Sequence, residues 1–259
     1  MSAPFFSIVI PAHDEEGCIE ETCEAILAEL RHEAITDFEL LVINDNSRDR
    51  TEALLQGLAA KHPQLRYLNN PPPHGFGFAV RHGLAHFRGA SVCIVMADLS
   101  DSPRDIVTYY RLLKGGAECV FGSRFLPGGQ TRDYPGPKLV LNRLANHFIR
   151  VLFGIPHDDL TNAFKAYRRE VIEGIQPLLS HHFNLTVELP LKAIVRGYRF
   201  ESVPIGWTNR KSGESKLVIR EMGSRYLFIV LYVFLERLLS RGDYHRSRPR
   251  QESASDKEP

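Results

Sequence analysis

The sequence predicts an α/β fold built on a mainly parallel sheet with helices on both faces, and three observations carry that reading. Short continuous apolar runs, FFSIVI (5–10), DFELLVI (37–43), SVCIVM (91–96) and AECVFGS (117–123), have the length and content of strands buried on both sides. Stretches with helical spacing separate them, as an alternating βα order requires. Oxygen-rich clusters then close the runs, as in VINDNSRDRT (42–51) and SVCIVMADLSDSP (91–103). In an open α/β sheet, ligands bind off the carboxyl ends of the strands. Carboxylates gathered there suit a divalent metal and a nucleotide, because hard cations take oxygen ligands. The pattern points to a nucleotide-handling enzyme.

The elements follow in order. FFSIVI is a strand ended by Pro11, and residues 15–30 carry Ile19, Cys23, Ile26, Leu27 and Leu30 on one helical face. After DFELLVI, Asp49 and Glu52 form a capping-box signature, so a helix begins near Arg50. LRYLNN (65–70) is a short strand stopped by Pro71, Pro72 and Pro73, and residues 75–87 are a loop entering a helix. Ser102, Pro103 and Asp105 start the helix after SVCIVM. Residues 125–137 read as a Gly/Pro-rich loop, 138–153 as an amphipathic helix and 162–170 as a strand leading into a helix. A helix over 185–196 is expected despite Pro190, then a strand over 198–205, a polar loop over 208–216 and a long helix over 219–240. The predicted organisation is a domain over 1–220, an amphipathic helical extension over 221–245 with a face suited to a membrane surface, and a disordered tail over 246–259.

Length and composition narrow the function. A chain of 259 residues holds one large domain with a modest extension. Its net charge of +1 gives no global field for nucleic acid, although Arg237, Arg241, Arg246, Arg248 and Arg250 crowd the C-terminal end. The four cysteines contain no C-x-x-C pair, which excludes the usual zinc spacings and favours a reduced, cytosolic setting. The longest apolar run, YLFIVLYVFL (226–235), is shorter than the roughly 20 residues a membrane-crossing helix needs, and no signal-peptide pattern opens the chain.

Each candidate residue has a plainer alternative. Asp98 sits where a metal bridging diphosphate oxygens would be held, and Asp101 is either a second carboxylate there or part of a helix start. Asn44 and Asp45 can bond a base or ribose, or serve turn chemistry. Asp14, Glu15 and Glu16 suit a helix N-terminus, with Glu15 kept as a nucleotide contact. GFG (75–77) is not a dinucleotide fingerprint, and its glycines permit a close backbone approach. Arg124, Lys138, Arg143, Arg210, Lys211 and Lys216 are candidates for phosphate oxygens. His82 and His86 share a helical face but lack a third ligand, so a surface or packing role is expected.

Taken together, several segments resemble family 2 glycosyltransferases of the GT-A fold, and within them the polyprenyl-phosphate (dolichyl-phosphate) sugar synthases. They are SIVIPAHDEE (7–16), VINDNSRDRT (42–51), HGFGFAVRHG (74–83), VMADLSDSP (95–103), FGSRF (121–125) with Gly128 and Gly129, DLTNAFKAYRRE (159–170) and VPIGWTNRKSGESK (203–216). The resemblance spans about residues 5–220. It implies nucleotide binding by Pro11, Glu15, Asn44, Asp45, Gly75, Ala97 and Asp98, and a Mg²⁺ or Mn²⁺ ion at Asp98 and Ser100. It puts the lipid phosphate at Arg124, Lys138 and Asn142, and the diphosphate at Arg210, Ser215 and Lys216. Asp98, Arg124, Arg210 and Lys216 carry the catalytic roles by the same resemblance. The sequence also departs from the family pattern: Met96 replaces the first aspartate of D-x-D, Asn44 the first acid of D-D-G-S, Asn46 and Arg50 its glycines, and Asn162-Ala163 a Ser-Gly pair. Lys138 and Asn142 stand where arginine and serine are common.

The implied reaction is inverting transfer of a hexose from a nucleotide sugar, GDP-mannose first and UDP-glucose next, to polyprenyl phosphate. A phosphate monoester has its second pKa near about 6 and is largely dianionic at pH 7. Such a nucleophile needs little help from a general base, and none is nominated. A GT-A transferase with a saccharide or other hydroxyl acceptor is the alternative, and Met96 keeps a non-catalytic nucleotide-sugar-binding module open. The expected setting is cytoplasmic and peripheral at the cytoplasmic face of a membrane, with no nucleic acid and with room for an oligomer or a membrane-protein partner.

Overall fold

The protein is described here from a computed structural model that covers residues 3–209 and 219–246, the side chains of 219–222 excepted. In chain order the elements are β1 (Phe6–Ala12), α1 (Ile19–His32), β2 (Phe38–Asn44), α2 (Thr51–Lys61), β3 (Leu65–Asn69), α3 (Phe76–His86), β4 (Ser91–Ile94) and α4 (Pro103–Lys114). They continue with β5 (Cys119–Ser123), β6 (Gln130–Arg132), α5 (Gly136–Phe153), β7 (Lys165–Arg168), α6 (Arg169–Gly174), α7 (Leu185–Val195), β8 (Phe200–Pro204), β9 (Gly206–Thr208) and α8 (Ile219–Leu239). The main sheet runs β3-β2-β1-β4-β7-β5-β8. All its pairings are parallel except those of β7, which lies antiparallel between β4 and β5.

The two-sided burial explains the continuous apolar runs. Ile8, Ile10, Leu40 and Val42 point to one layer, where Ile26 and Leu30 of α1, Leu55 of α2 and Ile106 and Leu113 of α4 meet them. Val9, Leu41 and Ile43 point to the other, against Val80 and Leu84 of α3 and Leu189 of α7. A third cluster joins α5, α7 and α8 through Ile149, Phe153, Val187, Leu191, Val230 and Val233. The helix expected as an extension is therefore packed on the body. Arg196 fastens it: Nε and Nη2 donate to Glu236 of α8 at 2.9 and 3.0 Å, and Nη1 donates to the carbonyls of Gly174 and Gln176. No helix among the described residues is long and apolar enough to cross a membrane.

Local departures from the sequence reading have physical causes. Helix α1 starts at Ile19 because residues 15–18 cross-brace the loop before α2. Glu15 N–H donates to Thr51 Oγ1, Glu16 N–H to Asp49 Oδ2, and Arg50 N–H to Glu16 Oε2. The capping box does not close: Asp49 Oδ1 accepts the Thr51 N–H, while Glu52 accepts from Asn69 Nδ2 at 2.8 Å. Helix α3 begins at Phe76, directly after Gly75 at φ 134°. The close approach at Gly77 is to protein, since a Cβ there would lie 2.3 Å from the His181 carbonyl carbon. The region read as loop over 125–137 contains β6, which pairs with β9 in a small parallel sheet. The His82 and His86 rings lie 4.3 Å apart on α3, tilted by 42°.

Candidate active site

The chain leaves β1 for β2 and β3, then returns to β4 on the other flank of β1. Loops after β1 and β4 therefore diverge, and a crevice opens at their carboxyl ends, where doubly wound sheets take ligands. Asp45 lies on one side of it, buried at the end of β2. Its Oδ1 accepts from Asn70 Nδ2 at 2.7 Å and faces His74 Nδ1 at 3.3 Å, and its Oδ2 accepts the Gly75 N–H at 2.7 Å. The carboxylate is thus clamped by the segment that leads into α3. Asn44 turns to its neighbours, donating to Asn69 Oδ1 and accepting from the Ser47 N–H. Glu15 Oε2 accepts from the Cys18 thiol at 3.1 Å. Pro11 and Ala97 are buried, and the Ala97 carbonyl accepts from Thr22 Oγ1.

Opposite stands the loop after β4. Leu99 at φ 53° turns it sharply, so that Asp98 Oδ1 accepts the Ser100 N–H at 3.1 Å. Ser100 is buried and its carbonyl accepts the Thr208 N–H of β9. Asp101 neither caps α4 nor faces outward. It is buried, its Oδ2 accepts the Met96 N–H, and its backbone bridges Trp207. Burial pushes the Asp101 carboxyl up to about 7; the Met96 N–H opposes that rise and the Asp98 charge adds to it. Ser102 precedes α4 without a side-chain cap, and Asp105 instead holds the Gly206 N–H at 2.9 Å. Two strands of contact therefore pin the 96–101 loop to β9.

The far wall is built around Arg124, which follows β5. Nε and Nη2 donate to Asp159 at 2.8 and 2.7 Å, and the Arg124 N–H donates to the same carboxylate. The guanidinium carbon lies 5.3, 5.4 and 5.7 Å from the ring centres of Phe125, Tyr134 and Trp207. Burial pushes the guanidinium down, but the Asp159 charge and hydrogen bonds, joined by Tyr134 and Asp101, together hold it above its ordinary value. Nη1 makes no hydrogen bond among the described residues. The same turn carries Thr161, whose Oγ1 accepts from Asn142 Nδ2 at 2.7 Å and from Asn146 Nδ2 at 2.9 Å. Lys138 is half-buried one turn earlier on α5, and the Arg143 guanidinium stacks 4.5 Å from Phe125. The structure thus joins Arg124, Asn142 and Arg143 through one turn, 159–161, and one ring.

The diphosphate candidates Arg210, Ser215 and Lys216 lie outside the described residues. Asp159, Thr161 and Trp207 were not assigned roles in the sequence, although the segments DLTNAFKAYRRE and VPIGWTNRKSGESK contain them. Among the described residues, the group of three ligand-bearing side chains that close on one another is Glu29, His32 and Glu33, at the C-terminal end of α1 and away from the crevice.

Comparison with known proteins bears on this geometry. Residues 7–175 match the family profile "Glycosyl transferase family 2". The polyprenol monophosphomannose synthase of Mycolicibacterium smegmatis is 33% identical over 216 residues, covering 81% of this chain and 80% of the relative. A dolichol-phosphate mannosyltransferase of Pyrococcus furiosus is 28% identical over 213 residues, 82% of this chain and 58% of that protein. Glucosyl-3-phosphoglycerate synthase of Mycobacterium tuberculosis, solved with Mn²⁺, UDP and phosphoglyceric acid, superposes with a TM-score of 0.67 at 20% identity, over 90% of this chain and 78% of that one. The mixed, mostly parallel sheet with helices on both faces is the α/β arrangement of the GT-A type.

Proposed function

The chain belongs to glycosyltransferase family 2, and from that premise we propose that it moves a hexose from a nucleotide sugar to polyprenyl phosphate with inversion at the anomeric carbon. Glycosyl transfer is the activity of the family. The relatives named for polyprenyl or dolichol phosphate and mannose support the lipid acceptor and a mannose donor, and GDP-mannose is the first donor of this proposal. UDP-glucose stands second, since a structural neighbour was solved with UDP. The observation that carries the reading is the pairing of two walls: Asp45 and Asp98 at the strand ends, and Arg124 with Asn142 on a shared turn across from them.

The donor set at Asp98 and Ser100 fits a Mg²⁺ or Mn²⁺ ion of one kind. A half-buried carboxylate and a hydroxyl on a tight turn are too few for an all-protein cage, but Mg²⁺ is commonly held by one or two carboxylates plus substrate phosphates. When bound, such an ion offsets charge on a departing nucleoside diphosphate. The protein's own part is positional. Asp45 and its clamp orient the nucleotide. Arg124, through Nη1, together with Asn142 and Lys138, holds the acceptor phosphate in line with the anomeric carbon, where orientation replaces a general base. Arg210, Ser215 and Lys216 belong to the same proposal as diphosphate contacts.

The acceptor's setting is proposed from α5 and α8. Leu144 and Val151 of α5 and Phe228 and Leu238 of α8 are each more than 60% exposed. Lys138, Arg143, Arg150, Arg225 and Arg237 lie on the same two helices, and Glu236 of α8 is buried against Arg196. Exposed apolar side chains on helices that also carry cations suit the surface of an anionic leaflet. The test of the activity is a donor panel: protein, Mn²⁺ or Mg²⁺, polyprenyl phosphate and separate GDP- and UDP-sugars, followed by extraction of glycolipid. Product from GDP-mannose is expected. No glycolipid from any donor refutes the reading.

A further inference from the structure

Lys165 opens β7, the one antiparallel strand of the main sheet, and is 1% exposed. Its Nζ donates to the carbonyl of Leu160 at 3.0 Å and to that of Asn162. These carbonyls belong to the turn whose Asp159 holds Arg124 and whose Thr161 holds Asn142. No carboxylate among the described residues forms an ion pair with Lys165; Asp159, the nearest in effect, gives both its oxygens to Arg124. Arg124 thus takes the Asp159 carboxylate, and Lys165 is left in the interior with carbonyls rather than a carboxylate as its direct partners. Its sheet neighbours, Ile94 and Phe121, are apolar.

A buried ammonium held by carbonyls alone is costly, because a charge taken out of water is expensive unless it is paired as well as hydrogen-bonded. Burial pushes this ammonium down to about 7; Asp159 and Asp101 oppose the fall and Arg124 adds to it. His157 faces the same cluster and is itself pushed down to about 4, by burial first and the Lys165 charge second. A group so placed responds to any further charge brought into this low-dielectric wall.

We propose that Lys165 is a positioning residue for the acceptor, supplying from behind the 159–162 turn the positive charge that a phosphate dianion meets at Arg124 and Asn142. The inference rests on the lipid-phosphate reading above and deepens it. It predicts that the free enzyme loses this charge as pH rises above about 7, because a lysine with a lowered pKa is neutral above its folded-state value. The acceptor's own second ionisation, near about 6, is complete over that window.

The experiment is a pair of KM profiles from pH 7 to 9, one for farnesyl phosphate in detergent micelles and one for the nucleotide sugar. For the unaltered protein, acceptor KM is expected to rise about tenfold, the scale of one lost charge-assisted contact, while donor KM stays within about twofold, far below that scale. Lys165→Arg, permanently charged, removes the rise. Lys165→Met gives a high acceptor KM with no pH dependence. A flat acceptor profile in the unaltered protein overturns the inference, whatever the variants do. So does a Lys165→Met variant that weakens both substrates equally, as a merely structural lysine would. Product formation with a flat profile sinks this inference alone; no product from any donor sinks the lipid-phosphate reading and takes this with it.

Discussion

Replacing Asp159 by asparagine isolates the guanidinium it holds. Asp159 is fully buried and Arg124 nearly so, and three donors converge on the carboxylate at 2.7–3.0 Å. Removing one partner of a buried pair typically destabilises by about 3–5 kcal/mol, since the other charge stays buried without compensation. Asparagine retains one oxygen for the Arg124 N–H, so Asp159→Asn should lose about 3 kcal/mol, the lower end of that range. Adding Arg124→Met removes the stranded charge and replaces it by a side chain of similar length. The double variant should return to within about 1 kcal/mol of the unaltered protein, because an apolar replacement of a buried pair is often neutral. Urea unfolding followed by circular dichroism gives the global stability. The sole tryptophan, Trp207, lies 5.7 Å from the Arg124 guanidinium and gives a local fluorescence signal for the same transition. A loss below about 1 kcal/mol for Asp159→Asn, or a double variant no better than the single, would refute the assignment of this pair as an interdependent buried unit. A folded double variant that makes no glycolipid would separate the role of Arg124 in transfer from its role in folding.

Four further outcomes are expected. Gly83→Ala should lose about 1–3 kcal/mol through overpacking, despite a helix-propensity gain near 1 kcal/mol; its Cβ would lie 2.4 Å from Val9 Cγ1, and a rise in the urea midpoint would contradict this. Met96→Asp should lower the Mn²⁺ concentration for half-maximal transfer by adding a second carboxylate two residues before Asp98, and an unchanged titration would place the ion elsewhere. His157 is held neutral by burial, its pKa lowered from 6.5 to about 4, so the unfolded chain binds the extra proton first; stability intact above pH 6.5 is lost as pH falls toward 4, by up to about 3 kcal/mol. His157→Gln should flatten that stretch of the stability profile, which unfolding at several pH values reads directly. Val151→Glu with Phe228→Glu should abolish sedimentation with anionic vesicles at low salt, and retention of binding would move the proposed lipid surface off α5 and α8.

Much of the fold was legible because burial on both faces writes itself as continuous apolar runs, and β1, β2, β4 and β5 all fall within a few residues of their predicted places. The carboxyl-edge clusters were legible for the same reason: Asp45 and Asp98 end strands whose cores are unmistakable. What escaped was held by long-range contact. The capping box at Asp49 and Glu52 is sound local chemistry, but Glu16 and Asn69 compete for the same groups from other elements. The three residues of β6 are strand only because β9 pairs with them from over seventy positions away. Arg124 could be marked as a phosphate ligand from its segment, but its engagement by Asp159 depends on the turn before β7. Nothing in local spacing distinguishes Lys165 from a solvated lysine; only the antiparallel insertion of β7 between β4 and β5 places it inside.

The bidentate grip of Arg196 on Glu236 has a consequence for how the molecule can move. A helix joined by a swivel could settle on any support and leave the cleft pointing wherever thermal motion sent it. Here the attachment sits near the far end of α8, with all three guanidinium nitrogens of Arg196 engaged, so the helix and the strands travel as one piece. The tilt and height of the crevice above whatever α8 rests on are then decided when the chain folds and need no adjustment at each turnover.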